Sequence, residues 1–161
     1  MDVFKNLENI KSEDRSVLTI GSFDGLHRGH QEIVKKVVAK AQSRHVKSVV
    51  ITFDPHPRHV LDKDRKLPLL ISLNKKLSLL KELQVDKVLV VPFTEEFSKI
   101  HAEQFMNQIV IENFNPDHII IGHDHHFGYN REGSPKFIKD FCASQDFTCE
   151  VIESVTDDSV V

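Results

Sequence analysis

The chain has 161 residues, 40 % hydrophobic and 28 % charged, with a formal net charge of −3. That balance argues against a disordered chain and offers no basic face for nucleic acid. The longest apolar runs, such as Val88–Phe93 and Ile119–Ile121, are far too short to cross a bilayer. Met1 to Lys5 predict no secretory leader, and Cys142 and Cys149 predict neither a disulfide nor a zinc site, so a soluble cytoplasmic protein with one domain over residues 1–161 is expected.

Ser16–Ile20 reads as a short buried strand halted by Gly21. Ile33, Val34, Val37, Val38 and Ala41 then recur at helical spacing, with Lys35, Lys36 and Lys40 outside. Ser48–Phe53 is a second β-branched run, ended by Asp54-Pro55-His56-Pro57. From Pro55 to about Ser72 periodicity is lost and a long loop is expected. Leu73, Leu77, Leu80 and Leu83 mark a helix, and Lys87–Val91 a third strand. Ala102–Ile111 predicts a helix with Phe105, Met106, Ile109 and Val110 inward; His118–Ile121 is a fourth strand. Ser134-Pro135 reads as an N-cap followed by proline at the first helical position, with Phe137, Ile138, Phe141 and Cys142 apolar, before a fifth strand at Thr148–Ile152. Strands alternating with helices predict an α/β fold with a parallel five-stranded sheet covered on both faces.

All six glycines fall in two windows, Gly21, Gly25 and Gly29, then Gly122, Gly128 and Gly133, and seven of the ten histidines lie near these windows or the Pro-rich stretch between them. Each of the three segments follows a strand, so all should project from one sheet edge, where such folds bind ligands. His27 and His30 stand three residues apart at the start of the first helix, with Gly29 between. Free N–H groups and the positive dipole end favour an anion there, and imidazoles can stabilise charge that develops during transfer. The bland alternative is two surface histidines at a helix end. His123, Asp124, His125 and His126 are consecutive, unlike the spaced ligands of zinc sites, and His45, His59, His101 and His118 are most simply solvated or satisfied.

The segment 21–31, GSFDGLHRGHQ, resembles the His-x-Gly-His signature of nucleotidyltransferases. Together with FDPHP at 53–57 and GHDHHFGYNREG at 122–133, it makes the chain resemble the bacterial FAD synthetases, specifically their N-terminal FMN adenylyltransferase module, over residues 15–153. Lys75-Lys76-Leu77-x-x-Leu80 and Val85-Asp86-Lys87-Val88 also look familial. The resemblance implies a Rossmann-like fold of the nucleotidyltransferase type and transfer of AMP from ATP to FMN with Mg²⁺, giving FAD and pyrophosphate. It implies catalytic roles for His27 and His30, and an ATP site built from Gly21, Ser22, Phe23, Asp24, His27, Gly29, His30 and Gly122. It implies an FMN site built from Phe53, Pro55, His56, Pro57, Asp124, Phe127 and Arg131, with Mg²⁺ carried on ATP phosphates instead of a protein-built metal site.

Phe127 would pack against a flat ring and Arg131 would pair with a phosphate. Two positions depart from the family pattern: His125 stands where phenylalanine is commoner, and Ser22 replaces a frequent asparagine. By the same resemblance, an arginine-containing Ser-Ser-Thr-x-Ile-Arg motif and a riboflavin kinase module would follow Ser159-Val160-Val161, so the chain is expected to be a fragment that turns over poorly. A silent nucleotide- or flavin-binding module, a cytidylyltransferase and a pantetheine-phosphate adenylyltransferase are the rival readings.

Overall fold

The computed structural model describes residues 1–8, 10, 14–61 and 71–153. The 62–70 part of the expected loop, the terminal Ser159 to Val161 and the side chain of His59 lie outside the described residues. In chain order the elements are β1 (Asp2–Phe4), β2 (Ser16–Ile20), α1 (Arg28–Arg44), β3 (Lys47–Asp54), α2 (Pro57–Leu61), α3 (Leu73–Glu82), β4 (Lys87–Pro92), α4 (Ala102–Phe105), α5 (Glu112–Phe114), β5 (Pro116–Gly122), α6 (Pro135–Ala143) and β6 (Thr148–Ile152). The strands form one sheet in the order β1-β4-β3-β2-β5-β6, and every pairing is parallel.

Strand alternation divides the core between the two faces. Val49, Ile51 and Phe53 of β3 join Leu18, Ile20, Ile119 and Ile121 under α4 and α6, whereas Val50 joins Val88 and Val90 under α1 and α3. Side chains of period two on parallel strands produce this division, and the helices cover both sides as expected. From β2 the chain steps outward through β3 to β4, then returns to the far side of β2 for β5. The reversal between β2 and β5 is the point at which open α/β sheets bind ligands, and Gly21 and Gly122 stand at the two strand ends there.

Three expectations needed correction. Among the described residues the sheet has six strands, one more than the five expected: β1 is only three residues long, too short to show alternation, and is fixed by parallel pairing to β4 (Asp2↔Lys87, Phe4↔Leu89). Part of the expected loop after Pro55 is helical, because Pro57 opens α2 at the position where its fixed φ suits a helix. The predicted Ala102–Ile111 helix is α-helical only to Phe105, and Met106–Ile111 winds as a π-helix before α5. Asn113 Nδ2 donates to the Gln108 and Ile109 carbonyls (3.2 and 3.0 Å), occupying acceptors in the wider turn.

The remaining histidines away from the site are accounted for locally. His118 is buried, with Nδ1 2.6 Å from Thr148 Oγ1 and Nε2 3.2 Å from Glu150 Oε1; burial lowers its pKa against the pull of Glu150. His101 pairs with Glu132 at 2.7 Å, and His45 ends α1 in the left-handed region. Both cysteines are free; burial and the nearby Cys149 push the Cys142 thiol up.

Candidate active site

Past β2, Gly21 donates its N–H to the Ile51 carbonyl (2.9 Å), and the chain then bends through Phe23 (φ 48°), Gly25 (φ 76°) and Leu26 (φ 42°). Left-handed backbone at phenylalanine and leucine is uncommon. Both side chains are buried beside Val34, Val50 and Leu80, and that packing holds the bend. α1 starts at Arg28, and Gln31 N–H is the first to reach back to a helix carbonyl, that of His27 (3.0 Å). The N–H groups of Arg28, Gly29 and His30 have no partner within the helix, which makes this end receptive to an anion.

His27 and His30 stack with ring centroids 3.8 Å apart, and Phe23 meets His30 edge-on at 5.4 Å. Burial first, then His27, lower the His30 pKa to about 4; Asp124 and Asp24 oppose the shift and Lys76 adds to it. His30 is therefore neutral near pH 7 in the free protein. A polyphosphate at the helix end raises its proton affinity. Calorimetry of inorganic pyrophosphate binding near pH 6 should show proton uptake, as an enthalpy that varies with buffer ionisation heat; an enthalpy independent of buffer rejects it. For folding, the depressed pKa gives stability that is present above about 6.5 and falls away toward pH 4, because the unfolded chain takes the proton first.

On the far side of this loop Lys76, 7 % exposed, donates from Nζ to the Ser22 carbonyl (2.7 Å) and to Thr52 Oγ1 (3.3 Å). Thr52 Oγ1 in turn donates to the same carbonyl at 3.2 Å.

The second wall follows β5. His125 N–H donates to the Gly122 carbonyl (3.1 Å), and Phe127 and Gly133 exchange backbone hydrogen bonds of 3.2 and 2.7 Å. Tyr129 N–H reaches the Ile100 carbonyl at 2.8 Å. The His125 ring lies nearly parallel to Phe127, centroids 5.6 Å apart, and burial followed by His126 brings its pKa down to about 4.

Between the two loops lies a cavity of about 610 Å³. Of the residues expected in the site, Gly21, Ser22, Phe23, His30, Phe53, His56, Pro57, Gly122, Asp124, Phe127 and Arg131 line it. Asp24, His27, Gly29 and Pro55 stand outside the lining, although Asp24 Oδ2 lies 3.9 Å from His56 Nε2 and so links two of the three segments. Phe127 is only 6 % exposed, its ring engaged by His125, Phe105 and Phe137, so little of its face is left for a ligand. Arg131 is exposed on the wall.

Residues that the motifs do not mark complete the cavity. Phe93, Phe97 and Phe105 join Phe53 in an aromatic floor, with Phe53–Phe93 and Phe53–Phe97 centroids 5.9 and 6.1 Å apart. Phe93 directly follows β4 at the same sheet edge, a topological signal that could have marked it. Among the described residues Thr19 Oγ1, His30 Nδ1 and His125 Nε2 are buried without a protein hydrogen-bond partner, and all three residues line this cavity. Buried polar atoms are nearly always paired, so their convergence marks a place for a polar guest.

The family model for FAD synthetase matches residues 9–161. The chain belongs to the FAD synthetase family. Among its relatives, the bifunctional riboflavin kinase/FMN adenylyltransferase of Pseudomonas fluorescens is 32 % identical over 156 residues, covering 96 % of this chain and 50 % of that protein. The protein of the same name from Bacillus subtilis (strain 168) is 33 % identical over 150 residues, 92 % of this chain and 47 % of its own length. The chain thus spans about half the length of the curated relatives it matches. A Streptococcus pneumoniae crystal structure named a macrolide-efflux protein superposes with a TM-score of 0.82 at 25 % identity, over 98 % of this chain and 52 % of that one. Pantothenate synthetase from Thermus thermophilus, at a TM-score of 0.56 and 14 % identity over 98 % of this chain and 63 % of its own, shares the fold.

In this member of the FAD synthetase family, the described residues contain no group of three or more His, Cys, Asp or Glu able to hold a metal ion. No helix among them is long and apolar enough to cross a membrane.

Proposed function

We propose that this chain transfers AMP from ATP to the phosphate of FMN, forming FAD and pyrophosphate. One observation carries the reading: a helix end suited to an anion presents His30, stacked on His27, to the same cavity as an aromatic floor. The phosphate chain of ATP suits the first and the isoalloxazine ring of FMN suits the second. ATP contacts are assigned to Gly21, Ser22, Phe23, His30 and Gly122, with Asp24, His27 and Gly29 at the helix end. FMN contacts are assigned to Phe53, His56, Pro57, Asp124 and Arg131, with Pro55 and Phe127 shaping the wall behind them.

An FMN phosphate oxygen attacks the α-phosphorus of ATP; that P–O bond forms as the bond from the α-phosphorus to the β-bridging oxygen breaks, and pyrophosphate leaves with the electron pair. The nucleophile is largely ionised at neutral pH because its second pKa is about 6, so no side-chain base is required. Catalysis rests on alignment and on neutralising charge at the α-phosphate and leaving group, a role we assign to His30, His27 and the α1 N–H groups; the stacked pair at the helix end supports it. Asp24 and Asp124 both act electrostatically on His30, so they border the phosphate region and fit a Mg²⁺ that arrives on ATP. Bound there, the ion would offset triphosphate charge.

The relatives' names pair this activity with riboflavin kinase, so we assign a kinase module as the partner that supplies FMN, in the cytoplasm. Incubating the chain with ATP, Mg²⁺ and FMN and separating products chromatographically should yield FAD and pyrophosphate in equal amounts. Binding of both substrates without FAD identifies a silent module instead. Product formed only from CTP or phosphopantetheine overturns the assignment.

A further inference from the structure

We propose that Lys76 is a positioning residue for the nucleotide phosphates, fixing the bend after Gly21 through the Ser22 carbonyl and placing a cation behind the anion-binding helix end. This rests on the nucleotide reading given above.

An ammonium buried to 7 % exposure is expensive, and an apolar side chain of similar volume is often neutral or better for stability. Its hydrogen-bond acceptors, the Ser22 carbonyl and Thr52 Oγ1, are uncharged, so among the described residues no direct ion pair explains the burial. Asp24 and Asp54 act on it from further away, against the desolvation that lowers its pKa. The position in the fold supplies the reason. Leu80, one turn along the same face of α3, is fully buried and seats the helix against the core, so the lysine head is delivered to a defined point.

At that point the Ser22 carbonyl receives two donors, Lys76 Nζ and Thr52 Oγ1. Holding this carbonyl fixes the peptide that leads into Phe23, whose left-handed backbone turns its ring edge-on to His30. A chain of contacts therefore runs from Lys76 through Ser22 and Phe23 to the histidine at the cavity. The same cation lies close enough to weaken proton binding at His30. Lys76 thus acts on the phosphate site in two ways, by geometry and by charge.

Lys76→Met keeps the volume and removes both effects; Thr52→Val removes one donor and keeps the cation. In the folded Lys76→Met chain, ATP affinity measured by calorimetry should fall by about ten-fold or more, with FMN affinity held within about two-fold. The His30 imidazole, followed by NMR, should titrate at higher pH than in the unaltered chain. Thr52→Val should weaken ATP binding by a smaller factor and leave the His30 midpoint in place.

Unchanged ATP affinity in Lys76→Met, equal weakening of ATP and FMN, or an unmoved His30 midpoint overturns the proposal. If Lys76→Met does not fold, Thr52→Val decides: weaker ATP binding at constant FMN affinity supports it, and unchanged ATP binding overturns it. An unaltered chain that ignores ATP overturns the nucleotide reading and the proposal together, whereas ATP binding retained by folded Lys76→Met overturns the proposal alone.

Discussion

Replacing His30 with alanine should lower kcat for FAD formation by roughly 10²–10³-fold while FMN affinity changes little, the loss expected when one preorganised donor to developing charge is removed. Of the two motif histidines, His30 is the one that lines the cavity; His27 stacks on it from the exposed side. Burial keeps His30 neutral before substrate arrives. Its interaction therefore strengthens as negative charge gathers on the α-phosphate and pyrophosphate, and an interaction that strengthens in the transition state appears in kcat. Steady-state kinetics with ATP varied at saturating FMN separates the outcomes. A raised ATP KM with unchanged kcat would mean that His30 only holds the ground state. His27→Ala should show the same pattern at smaller amplitude, since its ring acts at the edge of the site.

Gly128→Ala should destabilise the fold by about 2–4 kcal/mol, the sum of a backbone conformation nearly exclusive to glycine and an overpacked contact. Gly128 sits at φ 78° and ψ 175°, and a Cβ there would lie 2.9 Å from both the N and Cα of Ala102. Those atoms are backbone at the start of α4, so no side-chain rotation relieves the clash. The strain would spread to the Tyr129 N–H bond on the Ile100 carbonyl and to the Phe127–Gly133 pair, which together shape the second wall. Urea unfolding followed by circular dichroism measures the effect, and a change below about 1 kcal/mol would show that the loop slides away from α4 at little cost.

Much of the fold was legible because it is written in apolar periodicity. Ser16–Ile20 and Thr148–Ile152 match the observed strands residue for residue, and Ser134 caps α6 by accepting from Phe137 N–H at 3.1 Å. What escaped had no local signal. β1 is a strand only because β4 offers it an edge, and nothing in Ala102–Ile111 distinguishes a π-turn from an α-turn before Asn113 supplies its donors.

The site was legible in outline for a different reason: three marked segments follow strands, and parallel topology brings their ends to one edge. The floor was not, because Phe93, Phe97 and Phe105 look like ordinary core residues until β4 and α4 are placed beside β3. Lys76 was visible only as part of a familiar string, since a lysine on an amphipathic helix is normally solvated. Phe127 lines the cavity as its motif suggested, but most of its ring is engaged by other rings.

The two walls hang from opposite faces of the sheet. The first loop is tied to β3 and α3 through Thr52 and Lys76, while the second is tied to the segment before α4 and leads into α6. The adjoining strands β2 and β5 run beneath the cavity and join these packing units. A molecule that touches both walls is therefore a crosslink between two halves of the core. Its arrival should slow amide exchange on both sheet faces at once, and a ligand of one wall alone should protect one face.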